Sequence, residues 1–515
     1  MQYEMSTLKN KLKTLFVHQP GSTAGTVQIW FRAGSALEQT DNEGIAHFLE
    51  HMFFKGTATR PGALIAHDVE SFGGEINAFT SFDYTCYYIN TPNTKMGNSI
   101  DILLDMVSHP MFKEEDLIPE RNVVFEEFRR SIDSPSQFAF ARLQNSAFEG
   151  AYAHQILGRE ETIKNFSIAQ LNYFRQNFYN LSNALLIVAG DMSEKGELIK
   201  TIEKYQLPEG PQSDFPEFDL KPQATTDMHQ KEVGMTTLTM VIKSPTYSEK
   251  EAAAEDLAIN CLGFGETSRL HNALVLDKTL ANVASSSTMF MAKGGAHFIR
   301  LVFPHKNMPE LLKKFLATVK DALHEGLGND EVAKIKNQYL SSKIYERESI
   351  ESYAFSLGHS YAQNGDIKCE EEFIDKIKGT SPNAVNQSLK KIFMRDVHIS
   401  IQLPKEANAQ KTKKDLADFQ KKLKELKASL GGTAKAKYKI DRSNSDQQVE
   451  LVKIKPGVSL IYRQNKMTPT FVLQAYLRGG LTEETVKTNG SYHLISAMLT
   501  NCLLYTSDAA DEGLG

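Results

Sequence analysis

His47-Phe-Leu-Glu-His51 sets two imidazoles four residues apart with a carboxylate between them. On a helix that spacing puts both rings on one face, one turn apart, where they can ligate a single ion. Glu50, three residues after His47, lies near the same face. A carboxylate there can take a proton from metal-bound water, whose pKa zinc lowers to about 7. The nucleophile so formed can attack a peptide carbonyl. Taken alone, a string of five residues is only suggestive of this chemistry.

A catalytic zinc centre needs three protein ligands and an open position for water. Glu120-Arg-Asn-Val-Val-Phe-Glu-Glu127, on a helix expected to start near Glu114, supplies the candidate third ligand. Glu120 and Glu127 lie two helical turns apart and share a face, whereas Glu126 points about 100° away. On its own, this stretch reads equally as an acidic, solvent-exposed helix face. No cysteine lies near the motif in sequence, which argues against a closed structural zinc site.

The bulk numbers are compatible with an enzyme of several domains. A length of 515 residues predicts about three domains, and 41% hydrophobic with 23% charged residues reads as soluble and globular. A net charge of −5 gives no global push toward nucleic acid or an anionic membrane. The longest apolar stretch, Ala184 to Ala189, is far short of a membrane span and reads as a buried strand. Cys86, Cys261, Cys369 and Cys502 are scattered singly, which fits a reducing compartment. Met1 to Lys13 is polar and lacks the apolar core of a signal peptide, so a cytoplasmic location is expected. No phosphate-binding loop, serine-hydrolase elbow or kinase motif set is present.

Residues 1–222 alternate strand-like and helix-like segments. Thr26–Arg32 and Tyr84–Ile89 read as strands, and Pro61–Phe72, closed by Gly73-Gly74, reads as a helix with proline in its first turn. Ser167-Ile-Ala-Gln170 is a capping box opening a helix to about Phe178. A second α+β unit is expected over 225–404, with strands near Thr237–Ile242 and Ala296–Val302. Residues 405–448 are rich in lysine, with Leu416, Phe419, Leu423, Leu426 and Leu430 forming one apolar stripe ended by Gly431-Gly432. A charged helical linker is the favoured reading there, and a nucleic-acid or membrane role is the alternative.

Beyond it the sequence repeats. Phe31-Arg-Ala-Gly34 aligns with Leu477-Arg-Gly-Gly480, and Gly44 to Met52 lies over Gly490 to Met498, so a third domain over 449–501 is expected. That copy has Ser496 for Glu50 and Ala497 for His51, and could not build the same site. Residues 502–515 match what a common sequencing adapter would encode and are set aside as an artefact.

His47 to His51 with Glu127 resembles the inverted zinc signature of the pitrilysin (M16) peptidases. Phe31-Arg-Ala-Gly-Ser35, His47 to Thr57, Gly74-Glu-Ile-Asn-Ala-Phe-Thr80, Glu120-Arg121 and Gly265-Glu-Thr-Ser-Arg-Leu270 carry the resemblance over residues 1–501. It implies an α+β fold of the LuxS/MPP-like metallohydrolase architecture, in which repeated domains each back an antiparallel-rich sheet with helices. It implies one Zn2+ per chain on His47, His51 and Glu127, with Glu50 as general base and Glu120 as outer support. It also implies that Asn77 and Ala78 pair with an extended peptide substrate, although an ordinary turn before a strand is the other reading of those two. The expected activity is zinc-dependent endopeptidase hydrolysis of peptides or unfolded polypeptides, without nucleic acid or a membrane span. A non-catalytic scaffold or partner subunit is the alternative. Large members of that family join an active half to a degenerate half, so this chain is expected to stop inside the second half. The intramolecular partner that helps grip substrate is then missing.

Overall fold

The computed structural model describes residues 2–430, 450–455 and 458–462. In the first lobe the chain runs β1 (Gln2–Thr7), β2 (Lys13–His18), β3 (Ala24–Phe31), α1 (Ile45–Phe53), α2 (Leu64–Ser71), β4 (Glu75–Thr80) and β5 (Thr85–Pro92). It continues through α3 (Met96–Ser108), α4 (Glu114–Asp133), α5 (Pro135–Ala147), α6 (Glu160–Asn165), α7 (Ile168–Phe178), β6 (Ala184–Gly190) and α8 (Lys195–Ile202). The second lobe has β7 (Thr226–Lys231), β8 (Thr236–Ser244), α9 (Ala252–Gly263), α10 (Arg269–His271), β9 (Val283–Met291) and β10 (Gly294–Phe303). It ends with α11 (Met308–His324), α12 (Asn329–Glu346), α13 (Ile350–Asn364), α14 (Cys369–Gly379), α15 (Pro382–Met394), β11 (His398–Pro404) and α16 (Ala409–Ala428).

The lobes are two copies of one plan. The first sheet is ordered β1-β2-β6-β3-β5-β4 and the second β7-β11-β8-β10-β9. In each, one pair is parallel, β2 with β6 and β7 with β11. The core of the sheet is antiparallel in both. Helices then correspond one for one, α1 with α9, α4 with α12, α5 with α13 and α8 with α16.

Each sheet has two buried faces. In lobe one, Val27, Ile29, Phe31, Leu186 and Val188 pack with α1, α3 and α7, while Leu15, Val17, Trp30, Leu185 and Ile187 face the other way. That alternation is the period of two of a pleated strand. The second face is covered by a helix from the other lobe: Tyr353, Ala354, Leu357 and Tyr361 of α13. Reciprocally, Leu143 and Ala147 of α5 join Val241 and Ala296 of the second sheet. The two lobes thus exchange helices and form one compact unit.

Local readings of the sequence hold at several ends. Ser167 and Gln170 bond reciprocally at the start of α7. Gly73 adopts a φ of +79° just past α2, a conformation costly for other residues. Pro61 sits three residues before α2, bridged to Gly56, rather than in the helix's first turn. Lysine-rich α16 also departs from expectation: Leu416, Phe419 and Leu426 are buried in the core of lobe two. Of the segment expected as a linker, Ala409–Ala428 is therefore that lobe's closing helix, and residues 431–448 lie outside those described. Among the described residues no helix is long and apolar enough to cross a membrane.

Residues 450–455 and 458–462 form an antiparallel hairpin in a separate unit. The residues expected to copy the first domain, 477–498, lie outside the described residues, as do 502–515.

Candidate metal centre

Helix α1 is set in place before any ligand is considered. Its first turn leaves backbone N–H groups unpaired, and Glu38 supplies acceptors for two of them. Glu38 Oε2 accepts from Gly44 N–H at 2.7 Å and Oε1 from Ala46 N–H at 2.8 Å. His154 Nε2 lies 2.8 Å from Glu38 Oε2, and burial pushes the Glu38 carboxyl above its ordinary value. Gly44 has a φ of +95°, and a Cβ there would meet the Leu157 carbonyl at 2.7 Å. Only glycine lets the loop before α1 pass so close.

The helix then buries Phe48, Leu49, Met52 and Phe53 and turns His47 and His51 toward α4. Glu127 Oε2 lies 3.7 Å from His47 Nε2 and 3.5 Å from His51 Nε2. Those separations are long for hydrogen bonds. They approach the edge of about 3.3 Å that a tetrahedron of ligands about 2.05 Å from zinc would have. Among the described residues, His47, His51 and Glu127 form the one group of three side chains able to hold a metal ion. Protonation also fits. Burial, with His51 alongside, pushes His47 down to about 3, leaving a neutral ring. Glu120 Oε1 lies 2.7 Å from His51 Nδ1. Burial alone would lower the His51 ring, but Glu120 and Glu127 outweigh it and raise it above its ordinary value. Nε2 therefore gives up its proton when a metal takes its place, with Nδ1 still held by Glu120. The donor set and its spacing fit zinc.

Glu120 is nearly buried and is ion-paired through Oε2 with Lys55. Burial alone would raise its carboxyl, but the His51 and Lys55 contacts outweigh that and hold it below its ordinary value. His47, His51 and Lys55 thus make a stripe that faces Glu127 and Glu120 in the reverse direction along α4. Glu126 turns to solvent and pairs with Arg129. Lys55 was absent from the sequence reading, although it continues the four-residue spacing of the histidines.

Glu50 stands beside this centre. Burial raises its carboxyl above the ordinary value, while Thr80 Oγ1 donates to Glu50 Oε2 at 2.5 Å. Thr80 belongs to β4, the outermost strand of the sheet. Ser81 N–H bonds Tyr84 C=O at the hairpin turn, so by antiparallel alternation Phe79 and Asn77 bond β5, and Thr80, Ala78 and Ile76 turn their backbone groups to the free edge. Ala78 N–H is met by the Oδ1 of Asn77 at 2.8 Å. The edge strand therefore passes the metal centre with backbone positions that no neighbouring strand pairs.

The remaining histidines among the described residues fall outside the centre. His67 and His109 are largely exposed, and His359 is packed edge-on against Tyr84.

Comparison with known proteins agrees with this geometry. The pattern of the family described as Insulinase (Peptidase family M16) matches residues 13–160, and that of the Peptidase M16 inactive domain matches residues 165–339. The chain belongs to peptidase family M16. An uncharacterized zinc protease of Bacillus subtilis is 28% identical over 416 residues, covering 77% of this chain and 97% of the relative. A zinc protease of Helicobacter pylori is 28% identical over 391 residues, covering 73% of this chain and 87% of the relative. A solved protease structure from Helicobacter pylori superposes with a TM-score of 0.72 at 25% identity, covering 78% of this chain and all of that one. This M16 chain thus spans nearly the whole length of relatives that bear the name zinc protease. The α+β fold of repeated domains is that of the family.

Proposed function

We propose that the chain is a zinc-dependent endopeptidase acting on extended peptides, with one zinc held by His47, His51 and Glu127. The observation that carries this reading is the placement of Glu127 Oε2 at 3.7 and 3.5 Å from the two Nε2 atoms, with Glu50 alongside and an open sheet edge beside it. When bound, zinc lowers the pKa of a coordinated water and polarises a carbonyl. The chain's own residues supply the rest. The free edge of β4 receives substrate as an added strand, pairing with the backbone of Ala78 once Asn77 Oδ1 gives up the amide it now holds. Glu50 takes a proton from the attacking water and passes it to the leaving nitrogen as the C–N bond breaks. Burial raises the Glu50 carboxyl, which makes it a better proton acceptor than an exposed glutamate. Glu120 and Lys55 orient His51.

Glu50→Gln tests the assignment. Glutamine keeps the shape but accepts no proton, so kcat on an internally quenched peptide should fall by about 10³-fold or more while one zinc per chain is retained. His51→Ala should lose the metal. Near-normal turnover in Glu50→Gln would sink the role of Glu50. A wild-type chain that holds zinc and hydrolyses no peptide would instead favour the scaffold reading.

A further inference from the structure

We propose that Thr80 is a positioning residue that couples substrate seating on β4 to the general base. The proposal rests on the endopeptidase reading above. Alternation along β4 gives this one residue two opposed tasks. Its backbone faces the free edge of the sheet, where an added strand would pair. Its side chain leaves the sheet at right angles to that edge, on the face where Ile76 and Ala78 pack against the core that carries α1, and its hydroxyl donates to Glu50 Oε2 at 2.5 Å.

A carboxylate on a helix has two free torsions beyond Cβ, and its proton-accepting oxygen must sit within hydrogen-bond reach of water and of the leaving nitrogen. Thr80 occupies Oε2 and thereby fixes the plane of the carboxylate, leaving Oε1 to handle the proton. Thr80 is β-branched, so its own rotamer is restricted and the hydroxyl is held in one direction. A peptide that pairs with the edge presses on the backbone of Ala78 and Thr80, and the Thr80 hydroxyl transmits that position to Glu50. An exposed serine or threonine elsewhere on the edge could not do this, because its side chain would not reach α1.

Thr80→Val is nearly isosteric and removes only the hydroxyl, while Thr80→Ser restores it without the methyl. The full chain is assayed on a quenched peptide with kcat and KM separated, together with zinc content and the visible spectrum of the cobalt(II)-substituted protein. In Thr80→Val, kcat should fall about 10- to 100-fold with KM within about three-fold, since the lost interaction matters to the transition state and not to seating. Zinc content and the cobalt spectrum should match wild type, and Thr80→Ser should recover most of kcat. A Thr80→Val enzyme with kcat within two-fold of wild type overturns the proposal. So does Thr80→Ser as slow as Thr80→Val, or a changed cobalt spectrum, because either makes the effect one of packing. Inactive Glu50→Gln beside a fully active Thr80→Val removes the Thr80 role alone. Active Glu50→Gln, or an inactive wild type, removes both readings.

Discussion

At the place where α1 meets α4 in lobe one, α9 meets α12 in lobe two, and the same plan is filled differently. In lobe one the contact carries His47, His51 and Lys55 against Glu127 and Glu120. In lobe two, Cys261, Val332 and Ile335 enter the apolar core there, and Arg269 grips Glu331 with two hydrogen bonds of 2.7 and 2.6 Å. The charge of lobe two is buried elsewhere: Glu255 lies inside against Arg395 and His297. A helix pair on a sheet is thus stable with an apolar seam. The donors of lobe one are a chemical addition to a plan that does not need them, and they sit where the packing is opened to the edge strand. The family pattern that matches residues 165–339 bears the word inactive in its description, in keeping with the absence of such donors there.

The comparison breaks most severely where the lobes share material. Trp30, the single tryptophan, is buried in the first sheet and touches Phe355 of α13, from lobe two, edge-on with ring centroids 6.0 Å apart. A Cβ at Gly358 would come within 2.2 Å of the indole, so α13 seats only because that position lacks one. Trp30→Ala should cost about 4 kcal/mol by lost burial and the cavity left behind. Because α13 leads on to the rest of lobe two, amides of β8 and β10 should lose hydrogen-exchange protection together with those of β3 and β6. Unchanged protection in β8 and β10 would show that the lobes fold independently.

The next test separates structural from functional charge. Glu255→Gln removes one side of a buried ion pair and should cost about 3 kcal/mol in denaturant unfolding, with zinc content unchanged. Burial alone would raise the Glu255 carboxyl, but His297 and Arg395 outweigh it and hold it below its ordinary value. Such a group stabilises the fold above the unfolded carboxylate pKa of about 4.3, and its contribution fades as pH falls through the lower folded value. The difference in stability between wild type and Glu255→Gln should therefore shrink in acid below about pH 4. A difference that stays constant from pH 7 to pH 3 would rule out this ionic account.

These contrasts also mark what the sequence could disclose. His47, Glu50 and His51, and separately Glu120 and Glu127, were legible as single helix faces because helical spacing is a local property. Joining the two faces in one centre came from the family resemblance and not from spacing. The strands Thr26–Arg32 and Tyr84–Ile89 were legible by composition, and the structure places them one residue or more off at each end, as Ala24–Phe31 and Thr85–Pro92. What stayed hidden is set by contacts between distant segments. Glu38 with His154, Thr80 with Glu50, and α13 on the first sheet join elements that no period or motif connects. The stripe of α16 was read correctly as apolar, but nothing in a stripe says what covers it. The internal copy expected beyond residue 449 falls on residues outside those described, whereas lobe two repeats lobe one in topology without a shared motif.

The smallest effect expected is also the most specific to lobe one. Lys55 follows α1 by two residues and continues the turn spacing of the histidines, and its ammonium neutralises a Glu120 carboxylate that is almost wholly enclosed. Lobe two also places a cation on a glutamate of the matching helix, Arg269 on Glu331. Among the described residues no cluster of metal-ligating side chains lies beside that pair, so it is expected to act on stability. Lys55→Met keeps the stem and removes the charge. Glu120 then loses the partner that fixes Oε2, its carboxylate swings, and His51 is no longer held in one tautomer and one orientation. Partners of this outer kind are worth about 10- to 100-fold in metal affinity, and Lys55 acts at one further remove, so about a tenfold rise in the zinc dissociation constant is expected by chelator competition. That is close to 1.4 kcal/mol. Turnover of the zinc-saturated enzyme should stay within two-fold of wild type, and Lys55→Arg should restore affinity. Arg269→Met should leave zinc affinity alone and lower only the unfolding midpoint. Equal zinc affinity in Lys55→Met and wild type would reduce Lys55 to a surface charge. Loss of zinc affinity in Arg269→Met would mean that the two seams are coupled and not merely alike.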